Sequence, residues 1–307
     1  MNLLTNLPEF PILKPLGIED HPILHPFLEK FPPYSDYNFA SMWCYNTQEK
    51  MEISTFKGNL VVKFEDYITS DYFYSILGEN ELEASIRELL IESKKREMPE
   101  YLKLVPEIVA DKIRENAEFT IEEDRDDFDY ILSTKELSTL ETTKYHTQKN
   151  HLNRFTNNFP DCKPISLNLN DKITQEKIFD VFYKWEKGRN KNREETGHEL
   201  KALERFIDQS HLFKVEAIGA DYKGELLGFM FAEHGSNGYS TGHFAKSDPQ
   251  YKELYVFLYH NVAKSLFEKG FEYINIEQDL GIPGLRYAKE QWNPVKFLKK
   301  YTIKINE

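Results

Sequence analysis

Glu225-Leu-Leu-Gly-Phe-Met-Phe-Ala-Glu-His-Gly-Ser-Asn-Gly-Tyr-Ser-Thr-Gly-His-Phe-Ala245 decides how this chain is read. Two runs rich in strand-forming residues flank His234-Gly-Ser-Asn-Gly238, a loop chemistry that reverses the chain, so the stretch predicts a hairpin with strands at 225–233 and 239–245. Working outward, apolar periodicity predicts a helix at 253–269, a strand at 273–278, a short helix at 284–292 and a last strand at 299–305. Upstream lie helices at 145–158, 175–188 and 199–210 and a strand at 214–220. The first half repeats the theme. A helix at 18–31 precedes a hairpin around Lys57-Gly58, a strand at 72–77, an amphipathic helix at 81–96, a strand at 101–105, a helix at 107–116 and a strand at 128–133. Each half thus ends hairpin, helix, strand, helix, strand.

An antiparallel hairpin followed by strand, crossover helix and parallel strand makes a mixed sheet with helices on its faces. That is the N-acetyltransferase-like (GNAT) plan within the α/β class, and its recurrence predicts two such units in tandem. The length of 307 residues suits two domains. The expected division is an acidic unit at 1–135 and a second unit at 136–307 carrying the functional cleft. Hydrophobic residues at 40% and charged ones at 29%, with 22 Phe and 18 Tyr, exclude disordered and collagen-like classes. The longest apolar runs, 226–232 and 254–259, are far below the roughly 18 residues of a membrane span, and the first ten residues lack the pattern of a secretory signal. A cytoplasmic location is expected. Cys44 and Cys162 form neither a disulfide framework nor a zinc-ligand spacing, so no metal is expected.

The net charge of −12 disfavours polyanionic partners on average. The average hides a split, because residues 1–135 hold 14 Lys/Arg against 27 Asp/Glu and residues 136–307 hold 25 against 24. Only the second half suits a polyanion. Within it, 142–160 carries Lys144, Lys149 and Arg154 without an acid, and 184–193 adds Lys187, Arg189 and Lys191.

Chemistry concentrates in Tyr273-Ile-Asn-Ile-Glu-Gln-Asp-Leu-Gly-Ile-Pro-Gly-Leu-Arg-Tyr-Ala-Lys289. Strand alternation puts Asn275, Glu277 and Asp279 on one face and Ile274 and Ile276 on the other. The glycines around Pro283 allow a tight turn into a helix whose N-terminus favours an anion, and Arg286 and Lys289 share a face just beyond it. Carboxylates for proton transfer and cations for a phosphate or carboxylate would meet there; the alternative is that Arg286 merely pairs with Glu277 or Asp279. On the helix at 145–158, Lys144, Lys149, Asn150 and Arg154 lie on accessible faces, either as a solvated basic surface or as the phosphate-facing wall of a groove. His243, in the second hairpin strand, suits general-base work if it projects into a cleft and is otherwise a core histidine. No GxGxxG, Walker or GxSxG motif occurs.

The chain resembles the phosphatidylglycerol lysyltransferase C-terminal domain family, the soluble catalytic part of the bacterial multiple peptide resistance factor. The resemblance rests on Asp129-Tyr130, Lys144-Tyr-His146, Lys149-Asn-His151, Asn153-Arg-Phe155, Glu277, Asp279-Leu-Gly281, Gly284-Leu-Arg286, Lys289 and Pro294. The chain departs from that family where Thr142-Thr143 stands in place of Gly-Lys, Thr147-Gln148 in place of basic residues, and Lys149 in place of the usual Arg. The resemblance implies tandem acetyltransferase-like units and transfer of an aminoacyl group from aminoacyl-tRNA to a lipid hydroxyl.

Together these readings predict an acyltransferase, of aminoacyl rather than acetyl groups, acting on a hydroxyl or amine. Glu277 or His243 is the expected base, Asp279 an orienting acid, and Arg286 with Lys289 the phosphate clamp. No cofactor is required; aminoacyl-tRNA or acyl-CoA is the co-substrate, and a small molecule or lipid headgroup the acceptor. Coenzyme A-dependent N-acetylation and a non-catalytic binding protein are the alternatives. The first is disfavoured by the turn Lys246-Ser-Asp-Pro-Gln-Tyr-Lys-Glu253, which lacks the glycines that let main-chain N–H groups approach a pyrophosphate. Weak, salt-sensitive tRNA binding through the second half and no stable membrane attachment are expected.

Overall fold

The computed structural model describes residues 3–66, 69–188 and 193–306. In chain order its strands are β1 (Lys14–Pro15), β2 (Glu52–Phe56), β3 (Asn59–Glu65), β4 (Tyr72–Leu77), β5 (Leu102–Pro106), β6 (Phe119–Glu123), β7 (Asp129–Ser133), β8 (Cys162–Ser166), β9 (Val215–Tyr222), β10 (Glu225–His234), β11 (Tyr239–Ser247), β12 (Tyr273–Asn275), β13 (Lys296–Leu298) and β14 (Lys300–Ile305). The helices are α1 (His21–Leu28), α2 (Phe39–Tyr45), α3 (Leu82–Lys95), α4 (Glu107–Ile113), α5 (Thr134–Thr139), α6 (His146–Asn158), α7 (Lys172–Lys187), α8 (Arg193–Asp208), α9 (Leu254–Glu268) and α10 (Pro283–Glu290). Among the described residues no helix is long and apolar enough to cross a membrane.

Two compact units result. The first comprises Met1–Asp129, Gln278–Leu285 and Phe297–Glu307, the second Tyr130–Glu277 and Arg286–Lys296. The sheet of the first has the order β1-β2-β3-β4-β5-β14-β6, and that of the second β13-β7-β12-β11-β10-β9-β8. Both follow the acetyltransferase-like plan. Four antiparallel strands lead through a helix, α3 or α9, to a fifth strand parallel to the fourth. A seventh strand then fills the place between fifth and sixth.

That seventh strand departs from the expected division at residue 135. β14, expected to close the second half, pairs antiparallel with β5 and β6, while β7, expected to close the first, pairs antiparallel with β12. Alternation in a five- or six-residue segment fixes which side chains point inward. It carries no information about which of two equally incomplete sheets supplies the neighbouring backbone partners.

Burial follows the periodicity. In the first unit Ile86 and Leu89 of α3 and Leu60, Val62 and Ile76 of the sheet are fully buried. In the second, β10 is buried on both faces, with Leu227, Phe229, Phe231 and Ala232 inaccessible, because α7 and α8 cover one side and α9 the other. Gly228 lets α9 pack close: a Cβ at this position would stand 3.0 Å from the Lys246 carbonyl and 3.1 Å from Leu254 and Leu258, so these neighbours would have to give by a few tenths of an ångström.

The first unit also buries charge. Lys300 of β14 is inaccessible, with Nζ 2.8 Å from Asp129 Oδ1, 3.1 Å from Ser35 Oγ and hydrogen-bonded to Asp36. Asp129 in turn accepts from Ser35 N at 2.8 Å and Ser35 Oγ at 2.6 Å. Nearby, burial and the neighbouring Asp124 carboxylate push the buried Asp127 up to about 7, against the pull of Lys103 at 3.5 Å.

Two outcomes follow from this arrangement. Lys300→Met strands two buried carboxylates and is expected to lower unfolding free energy by about 3–5 kcal/mol at pH 7. Denaturant titrations of the wild type and the variant at pH 7 will measure the loss. Asp127 binds its proton more tightly folded than unfolded, so its stabilising contribution is complete below about pH 4 and is lost as the pH rises through about 7. Asp127→Asn should abolish that component of the decline between pH 5 and pH 8 in thermal melts.

Candidate active site

The site is built where β11 and β12 part. They pair in parallel over Tyr239↔Tyr273, Ser240↔Ile274 and Thr241↔Asn275, after which β11 runs on to Ser247 and β12 ends. The strand expected to reach Gln278 therefore stops at Asn275. Every main-chain group of the next two residues finds a partner other than β11. Ile276 N donates to Tyr130 O at 2.9 Å and Lys289 Nζ donates to Ile276 O. Glu277 N donates to Asn275 Oδ1 at 2.7 Å, and Tyr130 N donates to Glu277 O at 3.2 Å. Satisfied elsewhere, the chain leaves β11 without orphaned amides.

Glu277 pays for this with a left-handed backbone, φ 62°, a conformation that costs a non-glycine residue about 1–2 kcal/mol. Its side chain is 23% exposed, and Oε1 stands 3.9 Å from His243 Nδ1. His243 occupies a β-bulge: Phe231 pairs with Phe244 and Ala232 with Gly242, so His243 is the extra residue. A bulge re-aims a side chain that strict alternation would send elsewhere. The imidazole is buried, 5.1 Å from the Phe206 ring of α8, with Nε2 3.0 Å from Oε2 of the buried Glu233. Glu233, Phe231 and Phe229 share one face of β10 by strand alternation.

Glu277 and His243 are thus brought together. Glu233 escaped the sequence reading, although a carboxylate ending the otherwise apolar 226–232 run, opposite Thr241 in the hairpin register, was the available signal. Asp279 falls in the first unit. It is inaccessible, with Oδ1 accepting from Gly281 N at 2.9 Å and Oδ2 3.3 Å from Arg125, so its carboxylate serves the turn. Lys289 spends its ammonium on the Ile276 carbonyl, and Arg286, half-buried on α10, lies one turn before it.

The basic helix is more neutral than its composition. Lys144 pairs with Glu136 at 2.6 Å and Arg154 with Glu253 at 2.9 Å. Asn150 Nδ2 lies 3.3 Å from His146 Nδ1, and Lys149 is exposed. Lys187 is exposed at the end of α7, while Arg189 and Lys191 lie outside the described residues. The turn before α9 places Glu253 in a left-handed conformation, φ 64°, where a phosphate-binding turn would use glycine. Among the described residues no group of three His, Cys, Asp or Glu is placed to hold a metal ion.

A buried imidazole between two carboxylates, one reaching solvent, can accept and return a proton. The bulge interrupts the strand ladder beside it.

Comparison with known proteins places the chain in a family. No curated protein matches the sequence. Among solved structures, a conserved protein of unknown function from Bacteroides thetaiotaomicron is 26% identical, with a TM-score of 0.83 over 96% of this chain and 99% of that one. The L-PGS of Bacillus licheniformis has a TM-score of 0.64 at 13% identity, covering 99% of this chain and 94% of the other. The C-terminal domain of a putative lysylphosphatidylglycerol synthetase from Agrobacterium fabrum has 0.59 at 11%, covering 86% and 87%. At these identities the last two establish the shared fold alone. Residues 29–304 match the family described as phosphatidylglycerol lysyltransferase, C-terminal, and the chain belongs to it.

Proposed function

We propose that the second unit is an acyltransferase, passing an aminoacyl group from a tRNA ester to a hydroxyl or amine. The observation that carries this reading is the strained, partly exposed Glu277 facing buried His243 in the gap between β11 and β12. Glu277 is the solvent-reaching member, so it removes the acceptor's proton as the nucleophile attacks the acyl carbonyl. Family membership supports acyl transfer and makes an aminoacyl donor the first to test.

Coenzyme A is the weaker donor on this chain. A glycine-free turn with Glu253 held by Arg154 presents a carboxylate near the α9 N-terminus, where a pyrophosphate would need main-chain N–H groups and no negative charge. With Lys144 and Arg154 already paired, tRNA affinity through α6 is weak and falls with salt.

Transfer from a panel of charged tRNAs to hydroxyl and amine acceptors should give product with the wild-type chain. Glu277→Gln should reduce the rate by at least about a hundredfold with its melting temperature kept. Calorimetry with coenzyme A should show no binding tighter than about 1 mM. Product from acetyl-CoA but from no charged tRNA would replace the aminoacyl reading. The strain gives a second check: Glu277→Gly should hold or raise stability, by up to about 1 kcal/mol, while abolishing transfer. A clear fall in its melting temperature would show Glu277 to be a structural residue.

A further inference from the structure

We propose that Glu233 is the positioning residue of this site, fixing the tautomer of His243 so that imidazole and Glu277 form one proton relay. This rests on the acyl-transfer reading.

Glu233 sits near the end of a strand whose preceding residues are apolar, and only 4% of its surface is accessible. Burying a carboxylate there is costly unless it is hydrogen-bonded. An ionised carboxylate only accepts, so the 3.0 Å contact requires Nε2 of His243 to carry the hydrogen. Nδ1 then presents its lone pair toward Glu277 Oε1 at 3.9 Å. The Phe206 ring and the sheet keep water from the imidazole, whose side chain is 1% exposed, whereas Glu277 is 23% exposed. Protons therefore enter and leave through Glu277.

The cycle balances. As the acceptor oxygen or nitrogen bonds to the acyl carbon, its proton passes to Glu277 and on to Nδ1, leaving an imidazolium between two carboxylates. When the tetrahedral intermediate breaks its bond to the leaving oxygen, the same proton returns through Glu277 to that oxygen. The imidazole ends neutral with its hydrogen on Nε2, and neither an oxidant nor a metal takes part in the bookkeeping. Glu233 never touches substrate; it makes Nδ1 the available acceptor and steadies the imidazolium when it forms.

The test is nitrogen-15 NMR of the full chain, which reads the His243 tautomer without substrate. The wild type should show the Nε2–H form. Glu233→Gln, whose amide can face Nε2 with either its oxygen or its N–H, removes the charge that steadies the imidazolium and should lower kcat at least about a hundredfold with KM changing less than about threefold. Glu233→Asp, which keeps the acceptor, should retain the Nε2–H form and part of the activity. A wild-type Nδ1–H tautomer, or a Gln variant with unchanged kcat, would overturn the relay. The wild-type spectrum decides the point even if the Gln variant does not fold. An Nε2–H wild type that transfers no acyl group supports the placement of Glu233 and counts against the acyl-transfer reading alone.

Discussion

Two parallel strands that pair for three residues and then separate create the candidate site in this chain. β11 and β12 hold together through Thr241↔Asn275, and beyond that point the hydrogen bonds of Ile276 and Glu277 go to Tyr130, Asn275 and Lys289. The separation is enforced by where main-chain partners are found, since a buried amide without one is costly. Into the opened side the bulge in β11 turns His243, and the left-handed backbone at Glu277 turns a carboxylate toward it. Glu277 is one of several described non-glycine residues with a left-handed backbone, and it differs from the others in facing a buried imidazole.

The first unit builds its own parallel pair differently. Its parallel pair β4 and β5 meets only at Tyr74↔Leu102. There the next residue of β4, Ser75, is inaccessible and accepts a hydrogen bond from Tyr37 at 2.7 Å, and Tyr34 and Phe39 are buried in the same unit. Burial drives the Tyr37 hydroxyl well above the ordinary phenol range, so it stays neutral. Aromatic side chains from the segment before β2 take part in this core. The unit's charged residues that are not solvated are locked in pairs, above all Lys300 with Asp36 and Asp129.

Those pairs also explain why charge counting misleads here. Lys144 and Arg154 read as free cations in an acid-free segment because their partners, Glu136 and Glu253, lie 8 and 99 positions away in sequence. Lys289 reads as an anion clamp because helical spacing places it beside Arg286, and in the fold its ammonium also donates to the Ile276 carbonyl, 13 residues away in sequence. A cation's availability depends on its neighbours in space.

By itself the sequence determined the type and approximate limits of most elements, because period-2 and period-3.6 apolar patterns are local: the 225–245 hairpin, α3 and α9 are legible from side chains alone. It also singled out Glu277, as one of three polar residues alternating with isoleucines, and His243, as a titratable side chain in a central strand. Tertiary structure decided that β7 and β14 join sheets other than those their sequence position suggests, since strand pairing is made by main-chain groups that are the same in every residue. It also decided that Asp279 serves a turn while Glu233 faces the imidazole. Alternation placed Glu277 and Asp279 together on one strand face, but the strand had already ended at Asn275; the partner of His243 is set across the β10–β11 register and by a one-residue bulge, which no periodicity in either strand encodes.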